Sequence, residues 1–210
     1  MNYVQLKAAI QNFAEDFGDN FNDYLDTFIK QAEQRIYNTC QLPASRKSAT
    51  VSIVAGTQYF PVPSGFLSVH ELAVITMSGY QYLLNKDVSF IRESYPNPAT
   101  TGAPKYYAVF NDTQLLMAPT ADQTYQTELH YFGYPTSIVD AGTSWLGDNF
   151  ETALMYGALF EAAIFDKLDQ DMVTYYKSQF DAALVLLKQL SEGKNTQDDY
   201  RSGHVRAGVK

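Results

Sequence analysis

The sequence predicts an α+β fold in which helices from both chain ends form a four-helix bundle, with an inserted small antiparallel β sandwich or barrel and an extended C-terminal tail. Three observations lead to this fold class. Apolar residues recur at helical spacing near both ends of the 210-residue chain. Short strand-like segments with close turns fill the middle. Neither helix pair can bury its apolar sides alone, whereas the two pairs together can. We expect a helical pair at 1–45, the β domain at 46–140, the second helical pair at 141–192 and the tail at 193–210.

The stretch 145–165 is predicted to be the buried central helix. Asp148 and Glu151 have the spacing of a capping box. Gly157 and Ala158 give this helix a thin waist, where another backbone could come close. Because the helix is apolar on more than one side, several neighbours must cover it. One predicted inner stripe consists of Phe150, Leu154, Gly157, Ala158, Ile164, Phe165 and Leu168.

Two helices are predicted before the strands and one after the central helix. The first spans 2–17, with Asn2 and Gln5 as a capping box, and the second spans about 21–38. The last helix begins after Asp169 and runs to about residue 190. The predicted inner residues are Leu6, Ile10, Phe13 and Phe17 in the first helix, Phe21, Leu25, Phe28, Ala32 and Ile36 in the second, and Met172, Tyr175, Tyr176, Phe180, Ala183, Leu187 and Leu190 in the last.

The middle of the chain reads as a series of short strands. They are predicted at 51–54, 58–62, 69–77, 80–84, 106–110, 114–117 and 126–132. A short helix at 85–94, capped by Asp87, interrupts them, and the stretch 95–104 is a loop by composition. Asn111 and Asp112 form a predicted hairpin turn.

Composition narrows the possible classes of protein. Hydrophobic residues make up 46% of the chain, enough for a sizeable core, and the 16 tyrosines indicate extensive half-buried surface. The net charge of −8 argues against a protein that wraps duplex DNA, because such a protein must neutralise phosphates. A single cysteine, Cys40, cannot form an internal disulfide, which favours a cytosolic site of folding. No signal peptide or bilayer-spanning stretch is recognised, so no membrane contact is expected.

No constellation of catalytic or metal-binding residues is recognised, so we predict a protein that is not an enzyme and has no cofactor or metal. The three histidines show no metal-ligand spacing, and no nucleophile elbow or phosphate-binding glycine loop occurs. Glu161, among apolar neighbours, is either a buried carboxylate with a shifted pKa or the partner of Arg35 in an ion pair, and the ion pair is favoured. Cys40 is expected to be inert.

Several short patterns in chain order point to one family. They are Phe28-Ile29, Ala32-Glu33 and Arg35-Ile36, then Gly102-x-Pro104-x-Tyr106-Tyr107 and Leu116-x-x-Pro119, and finally Trp145-Leu ahead of Leu154-x-Tyr156-Gly157-Ala158-Leu159-x-Glu161-Ala162. With these residues the chain resembles, over nearly its whole length, the head-to-tail adaptor proteins of tailed bacteriophages. This family includes the head-completion and tail tubular proteins of short-tailed phages.

The resemblance implies a structural virion protein that is made in the host cytoplasm and resides in the neck between head and tail. It implies a ring, commonly of twelve copies, that binds the portal protein above and a downstream tail or nozzle protein below. Double-stranded DNA would pass through the lumen without specific binding. Family members often have a C-terminal extension that orders on the portal, and the tail matches that role by position and composition. Its candidate partner-binding residues are Lys194, Arg201, His204, Val205, Arg206, Val209 and Lys210.

Two other classes of function stay open from the residues alone. Tyrosine-rich strands can stack on sugars, so the chain could be a carbohydrate-binding or carbohydrate-cleaving module associated with the tail. A glycosidase needs two carboxylates across a cleft, and the β segment offers few acidic residues. The other class is a cytosolic partner-binding protein without a role in the virion.

Overall fold

The computed structural model describes residues 1–194, of which side chains are described to residue 191, and has a mixed α+β fold. These residues form seven helices and ten strands. The chain divides into two compact units. Residues 1–43 combine with the segment from Pro135 onward in a helical unit, and residues 44–134 form a β unit. The fold class is therefore mixed, as predicted.

Six of the helices belong to the helical unit and one to the β unit. The helices are α1 (Tyr3–Ala14), α2 (Asp19–Thr39), α3 (Val88–Ser94), α4 (Ile138–Ala141), α5 (Trp145–Asn149), α6 (Glu151–Phe165) and α7 (Gln170–Lys194). The helix in the β unit is α3, at the position predicted for a short helix. A single 3₁₀ turn, Pro43–Ser45, precedes the first strand.

The strands form two four-stranded sheets and one two-stranded sheet. The strands are β1 (Arg46–Ile53), β2 (Tyr59–Pro61), β3 (Phe66–Thr76), β4 (Gly79–Tyr82), β5 (Leu84–Asn85), β6 (Thr101–Gly102), β7 (Tyr106–Val109), β8 (Gln114–Ala118), β9 (Thr120–Ala121) and β10 (Tyr125–Gly133). Their orders are β1-β10-β3-β4, β2-β8-β7-β5 and β6-β9. Most pairs are antiparallel, as predicted, but β5 pairs with β7 and β6 with β9 in parallel.

Both large sheets contribute to the larger core of the β unit, and a second, smaller buried cluster lies around Ile91 in α3. Strand β10 alternates between buried and half-buried or exposed residues along its length, so one of its faces is covered. The buried residues of this core include Ile53, Leu72, Val74 and Leu129 from one sheet and Phe60, Leu115 and Met117 from the other. Strands β6 and β9, which the sequence did not predict, bring Gly102 under Pro119, where an added Cβ would lie 3.2 Å from Pro119 Cγ. Residues of the Gly102–Tyr107 and Leu116–Pro119 patterns therefore pack against each other.

Helix α6 is the centre of the helical unit and contacts α1, α2, α5 and α7. Eight of its fifteen residues are buried. An added Cβ on Gly157 would lie 2.9 Å from Phe180 Cε2 in α7 and 3.0 Å from Ala32 Cβ in α2. The prediction of a thin waist at Gly157 is confirmed, because two neighbouring helices approach the backbone closely there.

The predicted start of the central helix is wrong. Residues 145–165 form two helices, and Phe150 (φ −149°, ψ 52°) interrupts them. Ser144, and not Asp148, caps the first of these helices, because the Gly147 N–H donates to Ser144 Oγ at 3.1 Å. Helix α6 has no side-chain cap. The capping box at the other chain end is confirmed, since Asn2 and Gln5 each accept a hydrogen bond from the other's backbone.

The predicted inner stripes extend too far at one end of the helical unit. Phe13, in the last turn of α1, and Phe17, beyond the end of α1 at Ala14, are both exposed. Helix α6 ends at Phe165, so Leu168 lies in the following turn. Ile164, Leu168, Met172 and Tyr175 are also exposed, whereas the five predicted inner residues of α2 are all buried. Helical spacing identifies residues that share a face, but the turns decide where that face ends.

Candidate functional site

The residues predicted to bind a partner lie beyond the described side chains. Helix α7 continues to Lys194, two residues into the predicted tail. The remaining tail residues named above, Arg201, His204, Val205, Arg206, Val209 and Lys210, lie outside the described residues. The described surfaces of the two units carry the remaining candidates.

The described residues hold little that points to covalent or metal chemistry. In this part of the chain, no group of three or more His, Cys, Asp or Glu side chains could hold a metal ion. None of the described helices has the length and hydropathy needed to cross a bilayer. Cys40 is buried, and burial raises the pKa of its thiol, which disfavours the reactive thiolate.

A buried carboxylate joins α2 to α4 in the helical unit. Glu33 is 3% exposed, and its Oε1 accepts the Ile138 N–H at the start of α4 over 2.9 Å. Burial raises the pKa of Glu33, although the bonds from Ser137 and Ile138 oppose that rise. On the surface beside it, Lys30 Nζ contacts Asp140 Oδ1 at 3.0 Å. Glu33 belongs to the Ala32-Glu33 pattern in the sequence, but no partner for its carboxylate was predicted.

The predicted ion pair between α2 and α6 is confirmed. Arg35 Nη2 lies 2.5 Å from Glu161 Oε1, although the contact lacks the alignment of a regular hydrogen bond. The Arg35 guanidinium also lies 5.2 Å from the centre of the Phe160 ring. The side chain of Glu161 is 12% exposed and that of Arg35 47%. Arg35 therefore neutralises a mostly buried carboxylate and still presents part of its surface to solvent.

Next to Arg35 lies a groove of about 390 Å³, which we call the α2–α7 groove. Its apolar lining comes from the buried residues Phe160, Phe180 and Leu184 and from Val185, which is exposed. Its cationic residues are Arg35, Lys177 and Lys188. Lys177 is paired with Asp181 at 2.6 Å, whereas Lys188 has no ion pair with a described side chain.

The groove is basic in an acidic unit. Residues 1–43 and 135–191 contain 14 Asp and Glu against 6 Lys and Arg, so the three cations of the groove are half of the basic residues there. Residues 44–134 are nearly balanced, with 6 acidic and 5 basic residues. Basic residues of this unit are therefore concentrated at the α2–α7 groove, where they outnumber the one acidic lining residue, Asp181.

A second surface, which we call the acidic corner, consists of residues 13–23 and 164–175. The two turns that form it lie together, because Tyr176 Oη donates to the Phe13 carbonyl oxygen at 3.3 Å. Burial, followed by the nearby charge of Asp16, raises the pKa of Asp166. Seven of its residues are acidic, namely Glu15, Asp16, Asp19, Asp23, Asp166, Asp169 and Asp171, against one base, Lys167.

The acidic corner also exposes large apolar side chains. Phe17 is 62% exposed, and Phe13, Tyr175 and Met172 are exposed as well. An exposed apolar patch rimmed by polar residues is typical of a surface that meets a partner. This surface was not predicted from the sequence, because Phe13, Phe17, Met172 and Tyr175 were expected to lie in the interior. The signal that could have found it is the density of acids around the turns at 15–19 and 166–169.

The β unit presents tyrosines on edge strand β4. Tyr80 and Tyr82 are 59% and 61% exposed. A hydrogen bond to Glu128 is the largest cause of the raised pKa of Tyr80. Glu128 Oε1 also lies 2.9 Å from His130 Nε2. This face offers stacking rings beside a carboxylate, which is the feature on which the carbohydrate alternative depends.

The residues of the resembling patterns thus lie in the cores and at helix contacts of both units. Comparison with protein families matches residues 1–207 to the family described as SU10 adaptor protein. Comparison with curated proteins finds no match. Because the family match covers nearly the whole chain, the protein belongs to the SU10 adaptor protein family, a family of phage head-to-tail adaptors.

Proposed function

We propose that the protein is a structural adaptor that forms a ring, of about twelve copies as the resemblance implies, beneath the portal in the virion neck. The observation that carries the proposal is the family match over residues 1–207. The helical unit supports it, because the α2–α7 groove and the exposed apolar residues of the acidic corner offer two surfaces to which partners can bind. In this role the chain binds a portal protein, a downstream tail or nozzle protein, and further copies of itself.

We further propose that the ring lets duplex DNA pass without holding it. The excess of acidic residues lies in the helical unit, with 14 Asp and Glu against 6 Lys and Arg. Acidic surfaces repel phosphates, whereas a basic lumen would retain the duplex in a salt-dependent way. Tight, salt-sensitive binding of duplex DNA by the isolated protein would contradict this part of the proposal.

The anchor to the portal is proposed to be the tail, through Lys194, Arg201, His204, Val205, Arg206, Val209 and Lys210. Residues 193–210 contain four Lys and Arg against two Asp, opposite in sign to the acidic helical unit. Large apolar residues are nearly absent, so this segment gains little by folding alone and more by folding on a partner.

The test is a chain that stops after Lys194. This end leaves α7 intact, including Ser191, whose hydroxyl donates to the Gln41 carbonyl oxygen. We expect near-normal thermal stability and loss of attachment to portal-bearing heads. As a control, a full-length chain with Arg201→Gln, Arg206→Gln and Lys210→Gln separates the charges from the mere presence of the segment. Normal attachment of the truncated chain would show that residues 195–210 do not carry the portal contact.

The carbohydrate-binding or carbohydrate-cleaving alternative depends on Tyr80 and Tyr82. Both are exposed on one strand, where rings two residues apart share a face. If it held, host-surface polysaccharide would bind or be cleaved, and Tyr80→Ala with Tyr82→Ala would abolish the effect. Binding of polysaccharide by a protein that does not attach to heads would favour this alternative over the adaptor.

A further inference from the structure

The α2–α7 groove and the acidic corner have complementary character on the same helical unit. We propose that the acidic corner of one copy docks into the α2–α7 groove of the next, with Phe17 inserted between α2 and α7. This interface rests on the ring of the proposed function and assigns its contact surfaces. The occupant of the groove is therefore a second copy of this chain.

Phe17 has the position of an inserting side chain. It lies in the short connection between α1 and α2 and is 62% exposed. The following residue is held in place, because the Gly18 N–H donates to Asp16 Oδ1 at 2.7 Å. A phenyl ring fits within about 390 Å³, and the apolar lining of the groove, in which Val185 is the exposed residue, matches it in polarity.

Charge favours the same pairing. Glu15, Asp16 and Asp19 flank Phe17 in sequence. In the groove, Arg35 and Lys177 each have one acidic partner, and Lys188 has no ion pair with a described side chain. Two copies whose helical units both carry excess negative charge repel at most orientations. Placing the corner against the groove brings opposite charges together and selects this orientation.

The positions of the two surfaces favour a head-to-tail assembly. Asp19 begins α2 and Arg35 lies near its other end, about 24 Å away at a rise of about 1.5 Å per residue. Corner against corner would oppose acids, which disfavours a symmetric dimer. A contact between two different surfaces leaves one of each free, so further copies can add, and a ring forms where the rotation between copies closes.

The decisive experiment is disulfide crosslinking on portal-bearing particles that carry the protein. Phe17→Cys and Val185→Cys are introduced together in a Cys40→Ser background, since Val185 is exposed and lines the groove. We expect a ladder of linked copies under oxidation and no ladder from either cysteine alone. Dimers from Phe17→Cys alone would indicate a symmetric contact and overturn the proposal. Links from Val185→Cys to a portal or tail protein, with none to position 17, would also overturn it.

A mixing experiment tests the interface with the isolated chains. Phe17→Asp damages only the corner and Lys188→Glu only the groove, and each variant should weaken self-association roughly tenfold or more. In an equimolar mixture, the intact corner of one variant can dock into the intact groove of the other. The two remaining surfaces are both damaged, so we expect heterodimers that do not grow. Phe110→Asp and Lys105→Glu are the matched controls, exposed residues of the β unit that should leave assembly unchanged. If the wild-type chain assembles and both corner and groove variants assemble equally well, the interface is wrong.

The two proposals fail in distinguishable ways. Particles with the protein in the neck but without the 17–185 link refute this interface and leave the adaptor role intact. Absence of the protein from portal-bearing particles under conditions of normal folding refutes the adaptor role itself.

Discussion

Replacement of Gly157 tests the packing of α6 directly. The Cβ of Gly157→Ala would lie 3.0 Å from Ala32 Cβ and 2.9 Å from the Phe180 ring. The ring can shift, but Ala32 Cβ is attached to the α2 backbone. Overpacking of this kind costs about 1–3 kcal/mol, against a gain of up to about 1 kcal/mol from replacing glycine within a helix. We therefore expect a net loss of roughly 0–2 kcal/mol, and about 3 kcal/mol or more for Gly157→Leu.

The assay is denaturant unfolding followed by tryptophan fluorescence. Trp145 is the single tryptophan and packs against the core of the helical unit, so its emission reports on that unit. A loss of 2 kcal/mol would also lower the Tm by roughly 4–8 °C for a chain of this length. Thr152→Ala, at an exposed position of α6, serves as the control for helix propensity.

The double variant Gly157→Ala with Ala32→Gly distinguishes steric conflict from other effects. It moves the methyl group from α2 to α6 and removes the shortest backbone-linked contact. We expect it to be more stable than the sum of the two single changes, by a coupling of about 0.5 kcal/mol or more. An additive double variant, or Gly157→Leu with an unchanged midpoint, would refute the assignment of Gly157 to a tight helix contact.

Two further predictions concern buried titratable groups. Burial raises the pKa of Glu33 above its ordinary value of 4.5, so its contribution to stability is present below that value and is lost as the pH rises through the folded pKa. Glu33→Gln keeps an acceptor for the Ile138 N–H but does not titrate. The unfolding free energy of the wild type minus that of the variant should therefore fall as the pH rises from about 4 towards 7, by at most about 1.4 kcal/mol per pH unit. Denaturant titrations at several pH values measure this difference, and a pH-independent difference would contradict the prediction. Cys40 is 3% exposed with its pKa raised by burial, so a thiol reagent should modify it slowly in native protein and rapidly in denaturant, and fast native labelling would show that this end of α2 is open.

Periodicity located the helices better than it located their ends. The five predicted inner residues of α2 are all buried, because the stripe lies well within a helix of 21 residues. The failures are at turns. Glu15 and Lys167 adopt left-handed backbone conformations with φ of 54°, and both end a helix where apolar spacing still continues. A non-glycine residue gives little signal for such a turn, so Phe17 and Leu168 were wrongly placed inside.

Capping was predictable only where one candidate pair stood alone. Asn2 and Gln5 have no competitor at the start of the chain, and the capping box forms. Ser144 and Asp148 compete four residues apart, and Ser144 is the residue that caps α5. Short strands pose a related difficulty. Strands β6 and β9 have two residues each and exist because they pair with each other, which no local pattern encodes.

The residues that define the family resemblance are mostly different from those proposed to bind partners, and Arg35 belongs to both sets. Ala32 and Gly157 meet across two helices, and Glu33 holds the start of α4, so these residues of the pattern act within the unit. Arg35 does the same through Glu161 but remains half exposed beside the α2–α7 groove. Phe17 and Lys188, the proposed centres of the interface, belong to none of the resembling patterns. A fold held by buried contacts can thus carry different docking surfaces, and the match to the family predicts the fold of the chain more strongly than the residues proposed to join its copies.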